Sequence, residues 1–394
     1  MAPLFRPVAL GIYTLFCMVG FVGALILPTL SMFLAKEIGV RPLLVGIPFA
    51  GLAVAGMAYN YFIGRWSDGV SDRRPLVAAC CLVGCLVCVT LAFSKHYWLV
   101  AGCVVIFLSF AMVSFSQIMA YSLDYAKHNI PGDRIPLFNA IVRAQIAIAW
   151  VAGPPTGFLV ASYMGFKFMY LFAATMFIVI AILSLRLLPR LQSQQNTDQQ
   201  ESKKPPLERA QKRALILSLI GFSLMWGANN AYLISFPLHL KDGLGIGTQW
   251  MGWVMGTAAG LEIPFMLLAG YYASRIKIMS LINLAGIAAL GLYLGVYFGT
   301  ELWQFFALQI FNAMFIGILA GLGVSLIQDL LPGRSGMASG LYTNTTHMGN
   351  LLSSLVVSVV ADIYGYHQVF AVNLAIILFA LVVFNRVYVK SAKV

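Results

Sequence analysis

Two charged residues, Arg143 and Glu262, lie inside stretches of sequence that are apolar enough to cross a lipid bilayer. A charge at the centre of a membrane helix costs on the order of 3 kcal/mol, so such residues usually face a cavity or a partner of opposite charge. Burial favours a neutral carboxyl group and a nearby arginine favours the ionised form, so rearrangement of such a pair can move a proton. We therefore expect Arg143 and Glu262 to take part in proton coupling, with His347 as a further candidate; a static buried ion pair is the alternative.

Amide, hydroxyl and aromatic side chains in other apolar stretches could bind a ligand rich in hydroxyl groups. Amides both donate to and accept from hydroxyls, and aromatic faces suit the apolar face of a ring. In "WGANNAY" the indole and the two amides fall at i, i+3 and i+4, on one helical face. Interhelical hydrogen bonds and interfacial aromatics are the alternative for any single residue. The candidates are Tyr13, Gln117, Tyr121, Asn139, Gln145, Trp226, Asn229, Asn230, Tyr232, Gln309, Asn312, Thr343, Asn344 and His347.

Composition indicates which elements must hold these residues in place. The chain has 394 residues, 60% hydrophobic and 10% charged, whereas soluble domains carry about 25% charged residues. About 20 apolar residues suffice for one membrane-spanning helix. The sequence therefore predicts an all-α integral membrane protein with twelve spans, at 8–35, 44–63, 76–94, 97–123, 136–161, 166–188, 213–237, 249–273, 278–298, 303–330, 336–361 and 366–388.

A long polar connection divides the chain into two parts. Residues 191–213 are rich in Gln, Pro and charge, a composition typical of a flexible linker. It separates a six-helix bundle over 1–190 from a second six-helix bundle over 214–394. Internal repetition supports this division, because Gly46 recurs at Gly252 and the acid Asp124 recurs 205 residues later.

The formal net charge of +12 is distributed unevenly between the loops. If the N-terminus lies inside, nineteen Lys and Arg residues fall on the cytoplasmic side and five fall outside. Cytoplasmic loops of membrane proteins are enriched in basic residues. This distribution predicts that both termini are cytoplasmic, and it explains the positive charge without a nucleic-acid partner.

"GRWSDGVSDRRP", residues 64–75, resembles the signature of the major facilitator superfamily: a glycine, an acid four positions later and a basic pair. Ser71 stands where that signature usually has glycine. The resemblance implies two six-helix halves that expose a mid-membrane site alternately to the two sides of the membrane. We expect the loop to act as a cytoplasmic gate. In this gate Gly64 allows close helix approach, and an arginine pairs with an acid on the fourth helix. A solvated turn is the alternative. The gate residues are Gly64, Asp68, Arg73, Arg74 and Asp124.

Within that superfamily the sequence is most similar to the bacterial sugar efflux transporter family. The similarity rests on "VRAQIAIAWVAGPP", "MGTAAGLEIPFMLLAGYY" and "LQIFNAMFIGILAGLGVSLIQDLLPGRSG", which are spread over both halves. "GPPTG" also resembles part of an antiporter signature. The resemblance implies export of sugars or glycosides from the cytoplasm across the bacterial inner membrane, coupled to protons, and we expect a monomer.

Other classes of function remain to be distinguished. A multidrug or other small-molecule exporter of the same fold would favour an apolar pocket, and 17 Met and 27 Phe leave that alternative open. An enzyme is not expected, because the sequence has no HExxH, GxSxG or paired-Asp motif. The six cysteines all lie in apolar runs, which favours packed thiols over a metal site. We therefore predict no metal and no cofactor; the partners are the substrate, protons and the lipid bilayer.

Overall fold

The computed structural model describes residues 2–67, 72–190, 208–332 and 334–387. Twelve helices in this part of the chain are long and apolar enough to cross a membrane, which confirms the predicted fold class. A helix satisfies its backbone hydrogen bonds internally, which lipid cannot do for a loop. The helices are α1 (Pro7–Ile38), α2 (Pro42–Ser67), α3 (Arg74–Phe93), α4 (Tyr97–Ala126), α5 (Leu137–Met164), α6 (Phe166–Leu187), α7 (Arg209–Gly243), α8 (Thr248–Ala273), α9 (Ile278–Phe298), α10 (Leu302–Leu330), α11 (Met337–Tyr364) and α12 (Gln368–Asn385).

Helix α7 begins earlier than the sequence predicts. Its first residue is Arg209, inside the predicted linker 191–213, because Glu208 and Gln211 form a capping box. Reciprocal side-chain bonds of this kind satisfy backbone N–H groups at a helix start. The rest of that linker, residues 191–207, lies outside the described residues.

Two irregular helix ends repeat along the chain. Helix α1 ends in a π-helical segment at Phe33–Ile38, and α7 ends in another at His239–Gly243, which starts 206 residues later. Each is followed by a glycine with positive φ, 77° at Gly39 and 66° at Gly245. Only glycine adopts this backbone without a steric cost. The same chain reversal is therefore encoded twice, at the spacing of the sequence repeat.

The chain forms two compact units. Unit 1 consists of the described parts of Met1–Gln195 and Gly245–Gly260, and unit 2 of those of Asn196–Leu244 and Leu261–Val394. The boundary falls within α8, so its first half belongs to unit 1. The division of the chain into two six-helix bundles, residues 1–190 and 214–394, therefore remains a prediction from the sequence.

The helix pairs within each unit follow the same pattern. In unit 1, α1 packs on α5 and α3 packs on α6; in unit 2, α7 packs on α11 and α9 packs on α12. Close approach depends on small residues, since a Cβ at Gly84 would lie 2.7 Å from the ring of Phe177 and one at Gly221 would lie 2.5 Å from the ring of Phe384. Small residues at such crossings allow helices in lipid to pack closely.

Candidate substrate and proton sites

Arg73 lies at the centre of a buried polar cluster at the α2–α3 turn. Its guanidinium donates to the Ser67 hydroxyl at 2.9 Å and to the Gln117 side-chain carbonyl at 3.0 Å. Its Nε lies 3.5 Å from Asp124 Oδ2, and the two side chains are 9% and 23% exposed. The structure thus pairs Arg73 with Asp124, as the sequence predicts, and joins the loop to α4.

A second ion pair lies beside the first. Arg74 holds Asp72 through two hydrogen bonds of 2.9 and 2.7 Å, and it also donates to the Leu188 carbonyl at 2.8 Å. The hydrogen bonds from Arg74 lower the pKa of the Asp72 carboxyl below its ordinary value. The Tyr121 hydroxyl donates to the Pro189 carbonyl at 2.7 Å. These bonds fasten the end of α6 to α3 and α4.

The remaining gate residues give a different result. No other part of the described chain comes within 4 Å of a Cβ placed at Gly64, so the close helix approach expected there is absent. Asp68 lies outside the described residues. Gln117 and Tyr121, which the sequence suggests as substrate ligands, have protein partners in the network around Arg73 and Arg74.

Helix α5 carries the first-unit candidates for the binding site. Arg143 is exposed and makes no ion pair within the described part of unit 1. The Asn139 Oδ1 and the Tyr13 hydroxyl are buried without a hydrogen-bond partner, and the Tyr13 ring lies 5.5 Å from that of Phe138. Gln145 donates to a carbonyl of its own helix at 3.3 Å. Among the first-unit candidates, Arg143 is thus an exposed cation, and Asn139 and Tyr13 each present a buried polar atom that lacks a partner in the described structure.

The "GPPTG" stretch of α5 is a tightly packed crossing. A Cβ on Gly153 would lie 2.6 Å from the Ala24 Cβ of α1. From the other side, a Cβ on Gly252 would lie 2.6 Å from the Pro154 carbonyl oxygen, and one on Gly256 would lie 2.7 Å from the Pro155 ring. Residues 153–157 thus hold the first half of α8 against α5.

In unit 2, three polar side chains form a buried network. Gln309 is fully buried and donates to the Phe305 carbonyl at 2.7 Å. Its side-chain oxygen accepts from the Asn312 amide at 2.8 Å and from the Tyr232 hydroxyl at 3.4 Å. The Asn312 Oδ1 is buried and lacks a partner in the described chain. This network brings together three of the residues that the sequence suggests for substrate binding.

Helix α7 presents its amides beside a close contact with α11. Asn229 is buried, and the Nδ2 of half-buried Asn230 has no hydrogen-bond partner in the described structure. A Cβ on Gly349 would lie 2.6 Å from the Cβ of Trp226. Sequence reasoning missed Asn373 on α12, which is fully buried and donates to the Ala228 carbonyl at 3.0 Å. A single amide in the apolar run "VFAVNLAII" was the available signal.

The candidates on α11 and α8 are less constrained. Thr343 and Asn344 are exposed, and the Thr343 hydroxyl donates to a carbonyl of its own helix at 3.0 Å; His347 is half-buried. Glu262 is half-buried and makes no ion pair within the described part of unit 2. Gly317 of α10 packs against the α8 backbone, where its Cβ would lie 3.0 Å from the Glu262 carbonyl oxygen. The described residues contain no cluster of three or more metal-ligating side chains.

Comparisons with known proteins agree with this architecture. The model of the Major Facilitator Superfamily matches residues 12–302 and 281–393. "Sugar efflux transporter A" of Dickeya chrysanthemi is 39% identical over 368 residues, covering 93% of this chain and 92% of that protein. "Sugar efflux transporter C" of Escherichia coli is 38% identical over 351 residues, covering 89% and 88%.

A crystal structure of the nucleoside transporter NupG superimposes with a TM-score of 0.77 at 16% identity, covering 97% of this chain and 99% of that one. That likeness concerns the fold. The relatives carry the names of transporters and not of enzymes. Twelve apolar helices and the bacterial origin of these relatives indicate a multi-pass protein of the bacterial inner membrane. The chain belongs to the sugar efflux transporter family of the major facilitator superfamily.

Proposed function

We propose that this protein exports sugars or glycosides from the cytoplasm in exchange for protons, by alternating access. The names of its relatives support the substrate class. The charge distribution of the loops supports a cytoplasmic location for both termini. A cysteine placed at Ser202 tests this location: an impermeant thiol reagent should label it from the cytoplasmic side only. The proposal treats the monomer as the transporting unit.

The buried amides of unit 2 are the observation that carries this proposal. Asn312 Oδ1 is an acceptor and Asn230 Nδ2 is a donor, and both are buried without a partner. A buried polar group left unpaired costs about 1–3 kcal/mol. Vicinal hydroxyls of a sugar donate and accept at once, so they match a site that offers both kinds of atom.

In this proposal, aromatic side chains near the amides form the wall of the site. The Tyr232 ring stacks on that of Phe236 at 4.7 Å and lies 6.3 Å from that of Tyr293, and Trp226 lies three residues before Asn229. Aromatic faces contact the apolar faces of sugar rings. Other proposed ligands are Tyr13, Asn139, Gln145, Thr343, Asn344 and His347. Gln117 and Tyr121 become available to substrate only if their present partners release them.

Proton coupling is assigned to Arg143 and Glu262. Each is a charged residue in a membrane helix without an ion pair inside its own unit, and such residues commonly mark proton pathways. In this proposal Glu262 carries the proton, Arg143 is its counter-ion in one state of the cycle, and His347 is a further proton acceptor.

The network around Arg73 is proposed as a cytoplasmic gate. Arg73, Asp124 and Gln117 fix the α2–α3 turn to α4, while Arg74 and Asp72 fix α3 to the end of α6. In this proposal these contacts hold the end of unit 1 rigid. A rigid end allows the unit to move as one body when the site changes its exposure.

Substrate class is tested by ligand-dependent stabilisation and by counterflow in proteoliposomes. Glycosides are expected to raise the melting temperature of the purified protein and to exchange with labelled sugar, whereas lipophilic cations do neither. Stabilisation and exchange by lipophilic cations alone would instead identify a drug exporter.

A further inference from the structure

Two histidines lie ring to ring at the end of unit 2 remote from the start of α7. His239 begins the π-helical last turn of α7, and His367 lies in the short connection between α11 and α12. Their ring centroids are 5.1 Å apart and the ring planes are tilted by 31°. The pair therefore joins the end of α7 to the start of α12.

His367 is held by Tyr297 at the end of α9. Its Nε2 lies 2.7 Å from the Tyr297 carbonyl oxygen, and its ring stacks on the Tyr297 ring at 4.2 Å. A carbonyl oxygen only accepts, so His367 Nε2 carries the hydrogen and donates it. In the neutral ring the other nitrogen, Nδ1, is then a lone-pair acceptor.

His239 has an unused nitrogen. The side chain is 5% exposed and its ring packs against that of Phe370 at 5.3 Å. Its Nε2 is buried and has no hydrogen-bond partner in the described structure. A buried ring nitrogen without a partner is costly, and in the tautomer with its hydrogen on Nδ1 this Nε2 needs a donor.

Two carboxylates lie near Tyr366 at this end of unit 2. Burial and the nearby carboxylates of Asp242 and Asp362 raise the pKa of Tyr366, which is therefore neutral at physiological pH. The two carboxylates are exposed, as is Lys241. The described titratable and charged groups on the elements beside the pair include Lys241, Asp242, Tyr297, Asp362 and Tyr366.

We propose that His239 and His367 form a proton-binding site that shares one proton between His367 Nδ1 and His239 Nε2. The proton comes from solution and adds to His367 Nδ1, while Nε2–H stays on the Tyr297 carbonyl. The new N–H gives His239 Nε2 the donor that it lacks. The resulting imidazolium is supported by the face of the Tyr297 ring, which attracts cations.

Proton binding at this site fastens the end of α7 to α9 and α12. A second proton is excluded, because His239 would then be a buried cation facing another cation. In the topology proposed above, this end lies on the outer side of the membrane. External acidity therefore stabilises this end of unit 2, independently of proton transfer at Glu262.

Nitrogen NMR of histidine-labelled protein in lipid nanodiscs tests the site. Between about pH 8 and pH 5, the range in which histidines change charge, we expect the pair to take up one proton, with coupled changes in both rings. His367→Gln keeps a donor for the Tyr297 carbonyl and should abolish the change at His239. His239→Phe keeps an aromatic contact with Phe370 and should remove the coupled change from the His367 signals. Either variant alone is a sufficient test if the other fails to fold.

The control is His96→Gln, which removes an exposed histidine from unit 1 and should leave the paired signals unchanged. Glu262→Gln should also leave them unchanged, which separates this site from the proposed transport coupling. The melting temperature should rise on acidification in the parent and stay flat in His367→Gln. Two rings that titrate independently, or remain neutral at pH 5, would overturn the proposal.

Discussion

Replacement of Arg73 by methionine should destabilise the protein by about 3 kcal/mol. Among the described residues, Arg73 donates to Ser67 and to Gln117 at 2.9 and 3.0 Å, and bonds to a charged group contribute about 1.5 kcal/mol each. The contact with Asp124 at 3.5 Å is longer than a charge-assisted hydrogen bond. Since that carboxylate is partly exposed, it adds no more than about 1 kcal/mol.

Chemical unfolding of the purified protein in detergent micelles measures this effect. Arg65→Met is the matched control, because Arg65 is exposed on the preceding helix, and it should change stability by less than about 0.5 kcal/mol. In the Arg73→Met background, Gln117→Leu should cost less than it does alone, since the shared bond is already lost. Equal stability of the Arg73→Met and Arg65→Met proteins would refute the assignment of a buried network.

Three further predictions follow from the same structure. Asn312→Leu should weaken sugar binding by about 1–3 kcal/mol in calorimetric titration, because a hydroxyl of the ligand loses its acceptor. Gly252→Leu should abolish counterflow, because no room exists for its side chain against α5, whereas Gly270→Leu, which meets open space, should be tolerated. The pKa of Asp72 is lowered in the folded protein, so its pair with Arg74 should stabilise the fold above the unfolded Asp pKa of about 3.9. This stabilisation should be lost as the pH falls below that value. Asp72→Asn should remove this part of the acid dependence of the melting temperature.

These predictions have distinct contrary outcomes. Parent-like affinity of the Asn312 variant would place the sugar elsewhere. Unchanged counterflow in the Gly252 variant would show that the first half of α8 need not approach α5 during the cycle. If the melting temperature depends on pH in the same way with and without Asp72, the Asp72–Arg74 pair does not contribute to the stability of the protein.

Sequence patterns predict the fold well because a membrane helix is determined by local composition. Length and hydropathy suffice for twelve helices, whereas the start of α7 depends on a capping box whose acid, Glu208, lies in a polar segment. The Arg73–Asp124 pair was predictable because the loop and α4 are joined by opposite charges.

Side-chain partners across helices were harder to predict. Hydrogen bonding from Arg73 to Gln117 and from Tyr121 to the end of α6 depends on helix rotation, which composition does not fix. Asn373 lies in an uninterrupted apolar run, so its bond to α7 gave no periodic signal. The two histidines that meet at 5.1 Å are 128 positions apart in the sequence, and only the packing of α7 against α12 brings them together.

Proton-driven sugar uptake into inverted membrane vesicles tests the central claim most directly. Glu262→Gln should abolish accumulation driven by a pH gradient while retaining exchange of sugar for sugar, which needs no net proton movement. Arg143→Ala should change the pH dependence of uptake and uncouple part of the flux. Gradient-driven accumulation at the parent rate in Glu262→Gln, or a parent pH profile in Arg143→Ala, would contradict the proposed coupling.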